Sequence, residues 1–301
     1  MGNDLSVVIV SYNVAGLLGR CLESVYRSLQ RSSLEFEMVV VDNCSTDGSG
    51  EMVRTRFPQV CLIQNQANKG FAAATNQGLT QSQGRFVFLL NPDTEVLGDA
   101  PARLVAFLES RSDAGMATGQ LLNQDGTLQH GAFRFPTLWM SFFDFFPVHH
   151  RLGSSRLNGR YSLDGTLPFE IDHPLGASML VKREVVDRVG PLDEAFFIYC
   201  EEIDWCMRAK KAGWRIFCVP QARIIHHGGQ STRQSAPAMF VELHTSRMLL
   251  FRKHYSPFFR WAHRRILHLG VRRAMARLEA GRLPQEEAKA WRDAYKAVLA
   301  L

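Results

Sequence analysis

The chain has 301 residues, 46% hydrophobic and 21% charged, a mixture that excludes disordered, collagen-like and low-complexity proteins. No apolar run approaches the length of a membrane-spanning helix, and the first residues do not resemble a secretory signal peptide. The formal net charge of +6 is unevenly placed, because residues 247–301 carry 13 basic and 4 acidic side chains. The rest of the chain is therefore mildly acidic, and we expect no nucleic-acid partner.

The first 95 residues alternate continuous apolar runs, typical of strands buried on both faces, with segments of helical spacing. The predicted strands cover residues 5–10, 38–41, 60–63 and 86–90. The predicted helices cover residues 14–30, a segment capped by residues 45–47 and ending at 57, and residues 71–83. This alternation predicts an α/β fold with an open, mostly parallel sheet flanked by helices.

The pattern then changes. We predict a helix over 102–110 and a strand over 115–119, followed by a long aromatic-rich excursion over 120–174 with one helical segment. Beyond it we predict strands over 177–181, 215–219 and 223–227, and a helix over 201–212. Residues 238–301 are predicted to be helical, with breaks near 256–257 and 281–284.

The six cysteines are scattered without a close CxxC pair, which indicates reduced thiols in a cytoplasmic protein and no zinc site. They are Cys21, Cys44, Cys61, Cys200, Cys206 and Cys218.

Polar residues follow each predicted strand of the first half, where open α/β sheets bind ligands. They are Ser11-Tyr12-Asn13, Asp42-Asn43, Asn68-Lys69-Gly70 and Asn91-Pro92-Asp93. Any one of them could be an ordinary polar turn, but four at one sheet edge favour a nucleotide site. Neither a dinucleotide fingerprint nor a P-loop is present, so a divalent ion on Asp93 is one way to hold phosphates.

Two further groups could carry chemistry. Glu201, Glu202 and Asp204 fall within four residues, after an aromatic segment that could raise carboxyl pKa values, as suits a general base. An acidic first helical turn is the alternative. His226 and His227 precede a Gly-Gly pair and are either a metal ligand or structural histidines.

Several motifs in order resemble inverting family-2 glycosyltransferases of the GT-A fold. They are LSVVIVSYN, VVVDNCSTDGS, NKGFAAATNQGL and FLLNPDTE, all within the first 95 residues. The later stretches GASMLVKREVVDRVGPLDEAFFIYCEEIDWCMRAKKAGW and ARIIHHGGQST resemble the bacterial rhamnosyltransferase-like branch. The resemblance implies a GT-A catalytic domain over 1–237, with a nucleotide-sugar half near 1–119 and an acceptor half near 120–237. Residues 238–301 would form a basic helical extension.

The resemblance also implies roles for individual residues. Asp42 would hydrogen-bond the base of a nucleotide-sugar. The base, ribose and phosphates of that donor would be lined by Ser11, Asn13, Asn68 and Lys69. Asp93, with His226, would hold Mg²⁺ or Mn²⁺ on the diphosphate. Asn91 stands where the family has its first acid, which leaves one carboxylate in that motif. Glu201 and Glu202 match the family's acid pair, in which Glu202 would be the base, with Asp204 in support.

We therefore expect an enzyme that moves L-rhamnose from dTDP-rhamnose to a glycan or lipid-linked acceptor in bacterial cell-surface polysaccharide synthesis. The alternatives are a UDP-sugar donor (galactofuranose or a hexose), or a catalytically weak nucleotide- or glycan-binding module at the membrane. Because basic and apolar residues are interleaved over 247–282, we expect peripheral contact with an anionic membrane at the inner face of the plasma membrane. Packing of these helices on the catalytic domain, or in a homo-oligomer, is the alternative.

Overall fold

A computed structural model describes residues 3–146, 150–153, 155–163, 165–228, 235–281 and 283–301. The chain divides into two compact units. The unit that we call the sheet unit comprises Met1–Phe133, Ser162–Phe197 and Glu201–Ser231, and the helical unit comprises Arg134–Tyr161, Ile198–Cys200 and Thr232–Leu301. The helical unit thus includes residues 134–161 and 198–200, which the sequence assigns to the acceptor half.

The sheet unit begins with alternating strands and helices, as predicted. They are β1 (Leu5–Ser11), α1 (Ala15–Leu29), β2 (Phe36–Asp42), α2 (Ser49–Arg56), β3 (Cys61–Gln64), α3 (Phe71–Gln81) and β4 (Phe86–Leu90). They are followed by β5 (Thr94–Val96), α4 (Ala100–Glu109), β6 (Ala114–Leu122) and β7 (Ala132–Phe133). The helical unit contributes α5 (Leu138–Phe143) and α6 (His150–Gly153) before the chain returns to the sheet unit.

The second half of the sheet unit completes the sheet. Its elements are β8 (Phe169–Ile171), β9 (His173–Pro174), β10 (Ser178–Lys182), α7 (Arg183–Val189), α8 (Glu201–Lys211) and β11 (Arg215–His226). The chain ends in the helical unit with α9 (Ala236–His254), α10 (Pro257–Ala280) and α11 (Gln285–Ala300).

Within the described residues, one sheet has the strand order β3-β2-β1-β4-β10-β6-β11-β5. β5 pairs with the end of β11, and β8 pairs with its beginning, at residues 216–218. Strands β1, β2, β3, β4, β6 and β11 run in one direction, while β5, β8 and β10 run against them. The predicted α/β fold with a mostly parallel sheet is confirmed. Since six strands end at the same edge, that edge collects Ser11, Asp42 and His226.

The sheet forms because its central strands are buried on both faces. β1, β4 and β6 are buried along their whole length, and one set of side chains from each strand packs in a core with α1 and α4. Burial of continuous β-branched and aromatic runs on both faces is the stabilising feature of such sheets. The six cysteines are free thiols, as predicted.

Some elements differ from the prediction. The two strands predicted over 215–219 and 223–227 form the single strand β11, with a register shift between Val219 and Arg223. β5, α7, β8 and the β7–β9 pair were not predicted. β5 and β8 are three residues long and are stabilised by pairing with β11, which the local sequence cannot show. The helix predicted after residues 45–47 begins at Ser49, with Gly48 as its N-cap.

The helical unit has a small core of its own. Leu267 and Val271 of α10 and Val298 of α11 are buried there, with Phe240 and Tyr295 packed against them. The breaks predicted in this region fall between α9 and α10 and between α10 and α11. Among the described residues, no helix is long and apolar enough to cross a bilayer.

Candidate active site

Asp42 lies at the carboxyl end of β2 and is 3% exposed. Its Oδ1 accepts the Ser45 backbone N–H at 3.1 Å, and its Oδ2 accepts Nε2 of Gln64 at 3.2 Å. These bonds, which reach the loop after β2 and the end of β3, hold the carboxylate in one orientation at the sheet edge. A fixed acceptor of this kind can select a donor group on a planar base.

The loop after β1 is tied to the loop after β2. Ser11 is fully buried, and its carbonyl oxygen accepts the Asn43 N–H at 2.8 Å. Asn13 has a φ of +52°, its Oδ1 accepts the Thr46 N–H at 2.8 Å, and its own N–H donates to Ser45 Oγ at 3.0 Å. Two strand-end loops that are distant in sequence therefore form one wall of the edge.

Asn43 orients the turn that carries Asn68 and Lys69. Its Nδ2 donates to Asn68 Oδ1 at 2.8 Å and to the Gly70 carbonyl at 3.1 Å, while its Oδ1 accepts the Lys69 N–H at 3.0 Å. Asn43 is 3% exposed, whereas the Asn68 and Lys69 side chains are exposed. The sequence names Asn43 only as a strand-end residue, and its place directly after Asp42 is the signal that could have assigned it this role.

Asp93 and His226 meet at the same edge of the sheet, where β11 ends. His226 Nε2 lies 3.5 Å from Asp93 Oδ1, and both side chains are less than 10% exposed. On the other side of the ring, His226 Nδ1 lies 2.7 Å from Gln129 Oε1. The Gln129 amide nitrogen donates to Asn123 Oδ1 and to the His226 carbonyl, so its oxygen is the atom that faces the histidine. Nδ1 of His226 therefore carries a proton, and in the neutral imidazole the lone pair of Nε2 points towards Asp93.

This pair of donors fits a divalent cation. A carboxylate oxygen and an imidazole Nε2 with a fixed lone pair are ligands for Mn²⁺, and Mg²⁺ takes one or two carboxylates together with substrate phosphates. Across the described residues, no group of three or more His, Cys, Asp or Glu side chains could hold a metal ion. A cation here would thus take most of its ligands from a bound molecule and from water.

His227 has different partners from His226. Its Nε2 lies 2.8 Å from Glu95 Oε1, and its Nδ1 is hydrogen-bonded to the Gln124 amide. Its backbone N–H donates to the Asp93 carbonyl oxygen at 2.9 Å. The geometry thus separates the two histidines, which the sequence left as alternatives, and directs His226 to the Asp93 carboxylate.

The loop at Gly176–Ala177 adjoins both Asn91 and Glu202. The Asn91 N–H donates to the Ala177 carbonyl oxygen at 2.9 Å. A Cβ atom added at Gly176 would lie 3.6 Å from Glu202 Cγ and 3.7 Å from Glu202 Cδ. Glu202 therefore packs against the segment that is hydrogen-bonded to the Asn91-Pro92-Asp93 turn.

The three acids of α8 occupy different environments. Glu201 is 4% exposed, and among the described residues its Oε2 has no hydrogen-bond partner. Burial, with the nearby Glu202 charge, raises the pKa of Glu201 well above its ordinary value, so its protonated form is favoured. Glu202 is half-buried. Asp204 is fully buried in an ion pair with Arg208 Nε at 2.8 Å.

The Asp204–Arg208 pair fixes the start of α8 to the turn after α7. Arg208 Nη1 donates to the Val189 carbonyl at 2.6 Å, and Nη2 donates to the Pro191 carbonyl at 2.7 Å. Asp204 thus neutralises a guanidinium that orders the neighbouring backbone. Asp204 therefore helps to anchor the start of α8, the helix that carries Glu201 and Glu202.

The segment before α8 is held by α3, which begins beside Lys69. Asn76 of α3 donates to the Leu192 carbonyl and to Glu194 Oε1, both at 2.9 Å, and accepts the Leu192 N–H at 3.0 Å. At Gly70, which has a φ of +83°, an added Cβ would lie 2.5 Å from the Phe197 carbonyl oxygen. The turn bearing Lys69 and the chain leading to Glu201 are therefore positioned by one helix.

Comparisons with known proteins agree with this architecture. The profile described as Glycosyl transferase family 2 matches residues 6–190, more than half of the chain, and the chain belongs to this family. The chain is 28% identical to N-acetylglucosaminyl-diphospho-decaprenol L-rhamnosyltransferase of Mycobacterium tuberculosis H37Rv, over 96% of this chain and 100% of that protein.

Two solved structures show the same fold. One is the mannosyltransferase PcManGT of Pyrobaculum calidifontis in complex with GDP-Man and Mn²⁺, which has a TM-score of 0.59 and 17% identity over 100% of this chain and 86% of that one. The other is GalNAc-T7 with UDP, GalNAc and Mn²⁺, which has a TM-score of 0.56 and 20% identity over 75% of this chain and 43% of that one. The protein is a glycosyltransferase with a GT-A fold, as its motifs imply.

Proposed function

We propose that this glycosyltransferase transfers a sugar from a nucleotide-sugar to an acceptor hydroxyl with inversion at the anomeric carbon, and that it depends on a divalent metal. The observation that carries the proposal is the fixed Asp93–His226 pair at the sheet edge that also bears Asp42. In this proposal residues 1–119 bind the nucleotide-sugar and residues 120–237 bind the acceptor. Residues 238–301 form a helical extension.

In this proposal the donor binds along the carboxyl edge of the sheet. Asp42 accepts a hydrogen bond from the base, because its carboxylate is oriented by Ser45 and Gln64. Asn68 and Lys69 are exposed on the turn fixed by Asn43, where Lys69 can approach the diphosphate. Lysine binds phosphate as a point charge.

Asp93 and His226 would hold the cation. Mg²⁺ or Mn²⁺ bound there would stabilise the charge that develops on the leaving nucleoside diphosphate. Gln129 keeps the Nε2 lone pair of His226 available by accepting the Nδ1–H. Since Asn91 replaces an acid of the family motif, Asp93 is the one carboxylate of that motif, and His226 supplies a second protein ligand for the metal.

Glu202 acts as the general base. A sugar hydroxyl is a poor nucleophile, so its proton passes to the Glu202 carboxylate while its oxygen bonds to the anomeric carbon. The bond from that carbon to the diphosphate oxygen breaks in the same displacement, which inverts the configuration. Burial raises the pKa of Glu201 well above its ordinary value, which makes Glu201 the less suitable of the two acids as a base.

We propose dTDP-L-rhamnose as the donor and a lipid-linked sugar as the acceptor, in bacterial cell-surface polysaccharide synthesis. The support is the M. tuberculosis relative, whose name gives L-rhamnose as the transferred sugar and a decaprenyl diphosphate as the carrier. A UDP-galactofuranose or UDP-hexose donor is the second candidate, since UDP accompanies the sugar in one structural neighbour. Because a lipid-linked acceptor lies in a membrane, the proposal includes peripheral contact of the basic extension with an anionic membrane from the cytoplasmic side.

The test is a nucleotide-release assay with dTDP-rhamnose, UDP-galactofuranose and UDP-glucose, each with Mg²⁺, with Mn²⁺ and with a chelator. We expect dTDP release with dTDP-rhamnose that depends on metal, together with a product of inverted anomeric configuration by NMR. UDP release alone would select the second donor. Binding of the nucleotide-sugar without release in the presence of an acceptor lipid would instead identify a binding module.

A further inference from the structure

Helix α10 carries large apolar side chains on its solvent face. Phe258, Trp261 and Leu269 are 69%, 56% and 61% exposed. At about 100° per residue they fall within an arc of roughly 80°. The buried side chains Leu267 and Val271 lie on the opposite side of the helix and belong to the core of the helical unit. The apolar residues of α10 therefore form two faces, of which packing within the unit uses only one.

The exposed arc is also cationic. Arg265 and Arg272 lie on it at helical spacing, and both are exposed. The Arg265 guanidinium is 5.7 Å from the centroid of the Trp261 ring, and the Phe258 and Trp261 rings stack with their centroids 6.0 Å apart. α10 contains six arginines and one glutamate, Glu279. We call this arc, with Phe258, Trp261, Arg265, Leu269 and Arg272, the α10 face.

A cavity of about 360 Å³ opens towards the C-terminal end of α10, where Arg273 lies next to the edge of the α10 face. Arg273 and Arg277 line it, one helical turn apart, and neither forms an ion pair with a described residue. Its one lining acid, Asp144, is paired with Arg247. The Arg273 guanidinium lies over the Phe146 ring, 5.5 Å from its centroid. The cavity thus presents two guanidinium groups, which suit the phosphate of a lipid headgroup.

We propose that the α10 face is the surface by which this protein lies on an anionic bilayer. Aromatic rings beside arginines match the interfacial region, where rings reach the acyl boundary and guanidinium groups meet phosphates. Because the α10 face carries the positive charges of Arg265 and Arg272, the surface that it binds is an anionic lipid surface. The inference rests on the membrane contact in the proposed function and specifies the helix, its face and its depth.

Insertion of the face can be measured by quenching with brominated lipids. Trp261 is 56% exposed and Trp139 of α5 is 58% exposed, so they form a matched pair. In vesicles of phosphatidylglycerol and phosphatidylcholine with brominated acyl chains, we expect Trp261→Phe to remove most of the quenching and Trp139→Phe to leave it unchanged. Quenching that persists in Trp261→Phe and is lost in Trp139→Phe would overturn the proposal.

The charges are tested by sedimentation with the same vesicles. Each basic residue near an anionic surface strengthens binding about fivefold, so Arg265→Gln with Arg272→Gln should weaken binding about 25-fold. The matched control, Lys289→Gln with Arg292→Gln, removes the same charge from exposed positions of α11 and should change binding less than threefold. Equal losses in both pairs would show a diffuse charge effect and reject the α10 face.

Two more measurements separate this inference from others. Donor binding, followed by thermal shift with the nucleotide-sugar, should be unchanged in Trp261→Phe, so a failure of the proposed activity leaves the vesicle result independent. Sedimentation velocity without lipid should show the same species for the wild type and for Phe258→Ser with Trp261→Ser. A wild-type dimer that these two changes dissociate would assign the face to a second copy of the chain and refute the membrane proposal.

Discussion

Replacement of Gln129 by methionine tests whether the tautomer of His226 matters for the metal. The substitution keeps the length of the side chain and removes the oxygen that accepts the His226 Nδ1–H at 2.7 Å. His226 is 8% exposed, so the loss leaves a buried N–H without its acceptor, which costs about 1–3 kcal/mol. In the metal-free variant the proton can move to Nε2, beside Asp93, so this cost falls on the metal-bound form, in which Nε2 must be unprotonated. At about 1.4 kcal/mol for each factor of ten, the metal concentration for half-maximal activity should rise about 5- to 100-fold. This range agrees with the usual effect of partners behind metal-ligating histidines.

The assay is a Mn²⁺ titration of nucleotide release, with calorimetric titration of Mn²⁺ in the presence of the nucleoside diphosphate. Gln124→Met is the matched control. Gln124 is hydrogen-bonded to His227, whose Nε2 contacts Glu95 and not the Asp93 carboxylate to which His226 is directed. We expect the control to stay within about threefold of the wild type, since a surface substitution away from a key contact usually changes energies by about 0.5 kcal/mol or less. Unchanged metal affinity in Gln129→Met, or an equal shift in the control, would refute the reasoning.

Three other predictions concern the acids and the buried histidines. Glu202→Gln should leave donor affinity unchanged and lower the turnover number about 10²- to 10⁴-fold, because an amide cannot take the proton. Glu201→Gln should lower the turnover number less than tenfold, because the amide resembles the protonated acid that burial favours at this position. Steady-state kinetics would contradict the assignment if Glu201→Gln were the worse variant. Asp42→Ala should raise the donor KM with little change in melting temperature, and an unchanged KM would remove Asp42 from base recognition. Burial, with the nearby Arg247 charge, lowers the pKa of His263 from 6.5 to about 4. The unfolded state therefore binds the proton first, and stability present above pH 6.5 is lost as the pH falls towards 4, by on the order of 3 kcal/mol. Urea unfolding between pH 7 and 4 should show a shallower loss in His263→Gln, and parallel curves would disprove the linkage.

Much of the sheet could be predicted because its strands are continuous apolar runs. β1, β2 and β4 are nearly or fully buried, and burial on both faces leaves a local composition that a single sequence displays. The short strands β5 and β8 have no such composition, since they are held by β11 rather than by their own residues. The order of the motifs along the first 95 residues was sufficient to indicate the family. Each motif contains or follows a strand that ends at the same edge of the sheet, so the residues of the candidate site recur in a fixed order along the chain.

The sequence by itself therefore determined the α/β fold, the family and the acids and histidines that are candidates for catalysis. Only the tertiary structure assigned those candidates different environments. His226 and His227 are adjacent in sequence, yet one faces Asp93 and the other Glu95, because their other partners, Gln129 and Gln124, come from the distant segment between β6 and β7. Glu201, Glu202 and Asp204 also differ in environment, because tertiary packing buries Glu201 and Asp204 and leaves Glu202 half-buried, whereas the partner of Asp204, Arg208, lies one helical turn away. Hydrogen bonds and desolvation act over a few ångströms in space, and the spacing of residues along a chain does not specify which groups meet at that distance.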